Sequence, residues 1–290
     1  MKVWIDGRIV EGSQARIPVT DHGLLYGDGI FEGIRVYAGR VFRLGDHLRR
    51  FGTGARAIGL ELPGGLDAMR EIVLETARAY GAQDAYLRLV ATRGDGALGV
   101  DPTTCSSPRV LCIAADVTLY PVEKLRHGID LVTVSVRRPP ADALDPRIKS
   151  LNYLNSVLAK REARLRGADE ALILNASGMV AEASVANVFA VRDGALATPP
   201  ATDGALAGIT RASVLEIAAR AGIEAREATL GRFDLLDADE VFVTGTGARI
   251  VPVASLDGAS IGAAGSDAHP LTDRISAAFA GYVEQNGTPL

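Results

Sequence analysis

Apolar and polar positions change period several times along this chain, and each change marks an element. Lys2-Val-Trp-Ile5 and Arg8-Ile-Val10 flank an Asp6-Gly7 turn, which predicts a hairpin. Gly33-Ile-Arg-Val-Tyr37 and Arg40-Val-Phe-Arg43, around Ala38-Gly39, predict a second. Helical spacing then takes over. Helices are expected over 44–58 and 66–80, the latter with Met69, Ile72, Val73, Thr76 and Tyr80 in phase. Strands are expected at 85–92 and 109–115. A mixed-charge stretch with Pro121 reads as a linker. Beyond it come a strand at 129–136 and a helix at 151–166, with Leu154, Val157, Leu158 and Leu165 on one side. Strands at 170–175, 179–182, 188–191 and 195–197 precede a helix at 210–221, closed by Gly222 as C-cap. A strand at 240–244, a hairpin near 250–261 and a helix at 271–285 complete the pattern. This is an α+β chain, divided as a small N-terminal domain (1–117), a linker (118–129) and a larger C-terminal domain (130–290). No internal repeat or low-complexity tract appears.

Composition narrows the class. The chain has 290 residues, 48% hydrophobic and 23% charged, with formal net charge −4. Those values suit a globular protein and give no electrostatic reason to expect nucleic acid. The 2 cysteines match no zinc or redox spacing, and the 4 scattered histidines offer no metal motif, so metal chemistry is not expected. Neither a signal peptide nor an apolar run long enough to span a bilayer is visible, so the chain is expected to be cytoplasmic and free of membrane.

Four stretches carry candidate chemistry. Lys149 lies between an apolar strand with its Pro-rich loop and a helix-periodic run, beside Asn152 and Tyr153. An amine there can form a Schiff base with a carbonyl cofactor. Leu206-Ala-Gly-Ile-Thr-Arg211 opens a helix, whose first N–H groups and dipole favour phosphate. Thr244-Gly-Thr-Gly-Ala248 is a second turn small enough for backbone N–H groups to approach an anion. Glu182 sits among small apolar residues, where a carboxylate needs a partner such as a pyridinium N–H. Each has an ordinary alternative: a solvated lysine, an N-cap threonine, a strand-ending turn, a surface carboxylate. Together, in this order, they compose a pyridoxal-phosphate site.

On these motifs the chain resembles fold-type IV pyridoxal-phosphate enzymes, most closely branched-chain amino acid aminotransferases. The likeness covers essentially the whole chain: 21–35, 86–88, 93–102, 149–155, 182–189, 206–211 and 244–253. It implies the D-amino acid aminotransferase-like fold, with a C-terminal pseudo-barrel domain. It implies Lys149 as the Schiff-base lysine and proton carrier, Glu182 on the pyridine nitrogen, and Tyr153 on the phenolic oxygen. Arg56, Ile209, Thr210 and Thr246 would hold the phosphate, and Leu206 would pack on the ring. On the substrate side it implies Tyr26, Phe31, Tyr86 and Arg88, with Gly247 and Ala248 taking the α-carboxylate. The implied reaction is ping-pong transfer between L-Leu, L-Ile or L-Val and 2-oxoglutarate. The implied assembly is a homodimer or higher homo-oligomer, with the Tyr26 and 93–102 loops reaching across the interface. Alternatives within the superfamily are a D-amino acid transaminase, an R-selective amine transaminase and an aminodeoxychorismate lyase. Arg93 stands where a D-specific enzyme would bind a carboxylate. Arg88 has a second reading as a structural ion pair. Arg249 departs from the glutamate usual after this turn.

Overall fold

The computed structural model describes residues 1–262 and 269–290. The chain divides into two compact units. One comprises Met1–Val117, Ile148–Asn152 and Val283–Leu290; the other comprises Thr118–Arg147 and Tyr153–Tyr282. The patterning places 148–152 and 283–290 in the C-terminal domain, whereas here both pack with the first unit. Backbone pairing is the reason: Leu151 N donates to Gly29 O at 2.9 Å, and Gly287–Pro289 forms an antiparallel pair with Arg40–Phe42. The stretch expected as linker contains a short helix, Val122–His127.

The first unit is a sheet covered on one face by two helices. Its strands are β1 (Lys2–Ile5), β2 (Arg8–Glu11), β3 (Gly29–Tyr37), β4 (Arg40–Phe42), β5 (Ala85–Thr92) and β6 (Arg109–Ala115), plus the C-terminal strand Gly287–Pro289. That strand lies at one edge, followed in order by β4, β3, β5, β6, β1 and β2. Its helices are α1 (His22–Tyr26), α2 (Leu44–Ala57) and α3 (Gly65–Tyr80). Residues of β3 pair with β5 so that Gly33 faces Arg88 and Phe31 faces Val90. Alternation then sends Ile30, Ile34, Val36, Leu87, Leu89 and Ala91 to one face, where Leu48, Phe51, Met69 and Val73 pack on them. Phe31, Gly33, Tyr86 and Arg88 are left on the other face. The expected hairpin at 33–43 is present, but β3 starts four residues earlier than its expected start at Gly33, because Gly29 to Phe31 pair with Thr92 to Val90.

The second unit is built on a mixed sheet, nine-stranded among the described residues. Its strands are β7 (Ile129–Arg137), β8 (Glu170–Leu174), β9 (Val180–Ala183), β10 (Asn187–Arg192), β11 (Ala195–Thr198), β12 (Ala225–Glu227), β13 (Glu240–Gly245), β14 (Arg249–Leu256) and β15 (Ala259–Ser260). They run in the order β12, β11, β10, β13, β14, β7, β8, β9, with β15 on β14. The helices are α4 (Val122–His127), α5 (Ala141–Leu144), α6 (Leu154–Leu165), α7 (Ile209–Arg220), α8 (Arg232–Leu236) and α9 (Pro270–Gln285). Helix α6 reverses an expectation. Its leucine stripe faces outward: Leu154 is 68%, Val157 57% and Leu165 72% exposed. The small residues Ala159 and Ala163 instead lie on Val132, Val134, Ala171 and Ile173 of β7 and β8. Alanine lets a helix approach a sheet closely, and the sheet supplies the bulk. The helix also starts three residues later than expected, because 148–152 is extended on β3.

Among the described residues no helix is long and apolar enough to cross a membrane.

Candidate active site

In the first unit Lys149 is carried by an extended strap. Phe31 N donates to Lys149 O at 3.0 Å, and Ser150 forms an antiparallel bridge with Ile30. The backbone of the lysine is thus pinned to β3. Its side chain is half-buried, with Nζ 4.5 Å from the centroid of the Phe31 ring. That aromatic face holds the amine near one position.

Behind it, toward the helices, lies a charged layer the sequence did not disclose. Glu32 and His47 are both fully buried. His47 Nδ1 lies 2.7 Å from Glu32 Oε2. Arg50 Nε and Nη2 donate to the two oxygens of Glu32 at 2.7 Å each, a bidentate pair. Burial works against the Glu32 charge, but the Arg50 guanidinium and the His47 hydrogen bond hold its carboxyl down at about 2. Burial pushes the His47 imidazole down from its ordinary value; Glu32 opposes this, while Arg50 and Lys149 add to it. His47 is therefore neutral at pH 7, Nδ1 carries the proton to the Glu32 anion, and Nε2 has no partner among the described residues. A helical signal existed, since His47 and Arg50 are three apart on α2. Nothing in sequence placed Glu32 opposite them.

Arg56, expected at the phosphate, is exposed in this structure, and its Nη2 donates to Thr53 Oγ1 at 3.2 Å. The buried face of α2 runs through Leu44, His47, Leu48, Phe51 and Ala55, and Arg56 lies off it. Arg50 is the α2 guanidinium turned inward.

On the open face of the sheet, the Arg88 guanidinium carbon lies 5.0 Å from the Phe31 centroid and 5.6 Å from that of Tyr86. Arg88 Nη2 also donates to Tyr86 Oη at 3.1 Å. A Cβ on Gly33 would stand 2.2 Å from Tyr86 Oη, so any side chain there must push that hydroxyl aside. Arg88 therefore stacks on aromatic rings, and among the described residues it forms no salt bridge with an acid. Tyr26 is further out, on α1, where its hydroxyl accepts from Gly99 N at 2.7 Å and so ties α1 to the 93–102 loop. Arg93 makes four hydrogen bonds: Nε and Nη2 hold both oxygens of Asp28 at 2.9 Å, and Nη1 and Nη2 donate to Gly59 O at 2.6 Å and Ile58 O at 2.7 Å.

In the second unit Glu182 lies on β9, 5% exposed. Oε2 accepts from Leu206 N at 3.0 Å and Asn187 Nδ2 at 3.1 Å. Oε1 meets Arg138 Nη2 at 2.5 Å. Asn187 also donates to Leu206 O at 2.8 Å, so two of the resembling stretches are knitted around one carboxylate. Ile209 and Thr210 open α7, and its N-cap, Gly208, supplies no side-chain cap. The first N–H groups of that helix are thus left for another acceptor. A Cβ on Gly208 would meet Asn187 Oδ1 at 2.0 Å. Thr246, Gly247 and Ala248 form the turn between β13 and β14, and Thr244 Oγ1 just before it is buried without a partner among the described residues. Arg249 takes the left-handed position that ends a three-residue hairpin loop, with φ 65°, and is exposed. Tyr153 precedes α6 and is half-buried. The donors of this unit suit the ring and phosphate of pyridoxal phosphate: an uncapped helix start and a hydroxyl beside a glycine-rich turn for the phosphate, and a buried carboxylate for a ring N–H; the first unit by itself carries an amine suited to an aldehyde.

An α+β fold bearing these groups defines a pyridoxal-phosphate type of enzyme, and comparison with known proteins identifies the family. Residues 29–256 match the family model described as amino-transferase class IV. A Methanocaldococcus jannaschii protein, provisionally named a branched-chain-amino-acid aminotransferase, is 48% identical over 89% of this chain and 88% of its own. The crystal structure of an Escherichia coli branched-chain amino acid aminotransferase superposes with TM-score 0.93 at 36% identity, covering 97% of this chain and 94% of that one. The branched-chain amino acid aminotransferase of Thermobaculum terrenum, solved in its PLP-bound holo form, matches with TM-score 0.84 at 31% identity, over 98% and 94% of the two chains. The chain belongs to the class IV amino-transferase family, and its fold is that of the fold-type IV enzymes.

Proposed function

We propose that this chain is a pyridoxal-phosphate transaminase moving the amino group between L-Leu, L-Ile or L-Val and 2-oxoglutarate in a ping-pong cycle. One observation carries the reading: Lys149 is pinned by its backbone to Phe31, with Nζ 4.5 Å from that ring, on the sheet face that also bears Tyr86 and Arg88. The relatives named as branched-chain enzymes support it.

When bound, the cofactor supplies an aldehyde for an amine and a ring that accepts electron density from the substrate's Cα. Lys149 Nζ would hold the cofactor covalently and would be the group that moves the substrate's Cα proton. Glu182 offers an anion to the ring nitrogen, and Tyr153 offers its hydroxyl to the phenolic oxygen. Leu206 gives the ring an apolar face. Ile209 and Thr210 at the start of α7, with Thr246, take the phosphate. Arg50 takes the place expected for Arg56 as the cation of the first unit. Phe31 and Tyr86 form an apolar wall that suits branched side chains, and Arg88 above them suits the distal carboxylate of 2-oxoglutarate or glutamate. Backbone N–H groups of Gly247 and Ala248 take the α-carboxylate. Arg93, with its donors committed to Asp28 and two carbonyls, supports the L reading over a D-specific one. Exposed apolar residues at Leu24, Leu25, Leu98 and Val100, on α1 and the 93–102 loop that Tyr26 ties to it, support a homo-oligomer.

Purified enzyme given L-Leu and 2-oxoglutarate is expected to yield glutamate, with little from D-Ala. Absence of glutamate removes the substrate assignment, and pyruvate release from aminodeoxychorismate would replace it with lyase chemistry. Light scattering on the same sample is expected to exceed the 30.4 kDa of one chain. Gly33→Ala would displace Tyr86 Oη, so KM for L-Leu should rise several-fold, roughly 1 kcal/mol of pocket misfit, with the melting temperature nearly unchanged. An unaltered KM would remove Tyr86 from the pocket wall.

A further inference from the structure

We propose that Arg138 is the positioning residue for Glu182, holding that carboxylate in one rotamer and as an anion, ready for a ring N–H. The inference deepens the reading of Glu182 given above and rests on it. Arg138 follows β7 in an Arg-Arg-Pro-Pro run that looks like an ordinary basic loop. In the structure it is only 9% exposed. Every part of it is placed. Its backbone N donates to Leu174 O at 2.9 Å, Nε to Gly204 O at 3.1 Å, and Nη1 reaches Ser156 Oγ at 3.4 Å. Nη2 meets Glu182 Oε1 at 2.5 Å. Gly204, with φ 104°, gives the stem room: a Cβ there would stand 3.0 Å from Arg138 Cγ.

Two consequences follow from this geometry. A carboxylate this buried is costly unless a cation faces it, and Arg138 supplies one before any cofactor arrives. With Oε1 fixed by Arg138 and Oε2 by Leu206 N and Asn187, the carboxylate cannot rotate away. Arg138 also competes with a ring N–H for the same negative charge, so it limits how strongly Glu182 pulls on that proton. Lysine would keep the charge but lose the planar fork that serves Gly204 O and Glu182 together.

The test uses apoprotein titrated with pyridoxal phosphate, read by binding affinity and by the absorbance of the bound cofactor. Arg138→Met is expected to weaken affinity roughly tenfold or more and to shift the absorbance band, with Arg138→Lys recovering part of both. In a Glu182→Gln background, Arg138→Met should add less than about twofold, because the residue acts through Glu182. An Arg138→Met protein with wild-type affinity and spectrum overturns the proposal. So does an effect of equal size in both backgrounds, which marks a purely structural role. If Arg138→Met does not fold, the Arg138→Lys shift decides: a weaker affinity with unchanged circular dichroism supports the proposal, and no shift overturns it. Wild-type affinity and spectrum in Glu182→Gln alone would instead remove the underlying role of Glu182.

Discussion

Lys149→Ala is expected to give a folded protein that binds pyridoxal phosphate without the absorbance of a lysine-linked cofactor. Folding should survive because the strap is held through backbone atoms: Lys149 O accepts from Phe31 N, and Leu151 N donates to Gly29 O. Alanine keeps both bonds. The side chain is half-buried and its loss should change stability by only about 1 kcal/mol. Catalysis should fall far more. Loss of a positioned proton carrier alone costs roughly 100- to 10,000-fold in rate, and loss of covalent attachment adds to it. Absorbance spectra, single-turnover rates with L-Leu and a thermal melt check the three parts. Retained colour would show that another amine holds the cofactor and would undo the assignment.

The second large effect is on stability, at Glu32. Glu32→Ala is expected to destabilise the protein by about 3–5 kcal/mol, since it leaves the buried His47 and half-buried Arg50 without their shared acceptor. The wild-type contribution has a defined pH window. The Glu32 carboxyl lies at about 2 in the folded chain against an ordinary 4.5, so its stabilisation is complete above 4.5 and is lost as pH falls toward 2. At about 1.4 kcal/mol per pH unit of displacement, the loss amounts to about 3 kcal/mol. His47, lowered by burial, acts in the same direction. The unfolded chain takes up its proton below the ordinary 6.5 while the folded chain resists, so stability begins to fall there. Denaturant titrations should show the gap between wild type and Glu32→Ala narrowing from pH 5 to pH 3. A gap that stays constant through that range would mean Glu32 is not an anion in the folded state.

Much of the fold and chemistry is legible from residue order alone. Alternation in Gly33 to Tyr37 marks β3, although that strand is buried on both faces, and helical spacing from Met69 to Tyr80 marks α3, which buries one face. Helix α6 shows the limit. Its leucines satisfy the helical period, yet they face outward, since the contact with β7 and β8 needed small residues instead. A period states that a face exists, not which face is covered.

The sequence by itself determined the family and named the candidate groups: an amine at 149, a carboxylate at 182, and small-residue turns at 206–211 and 244–248. These are local features, carried by residue type and short spacing. Only the tertiary structure decided their partners. It joined Lys149 to β3, set Glu32 against His47 and Arg50, turned Arg56 outward, committed Arg93 to Asp28 and placed Arg138 on Glu182. Each of these pairings spans at least a loop, apart from the local turn of Arg56 onto Thr53. Its strength depends on burial and on the register of neighbouring strands, quantities that exist only once the chain has closed on itself.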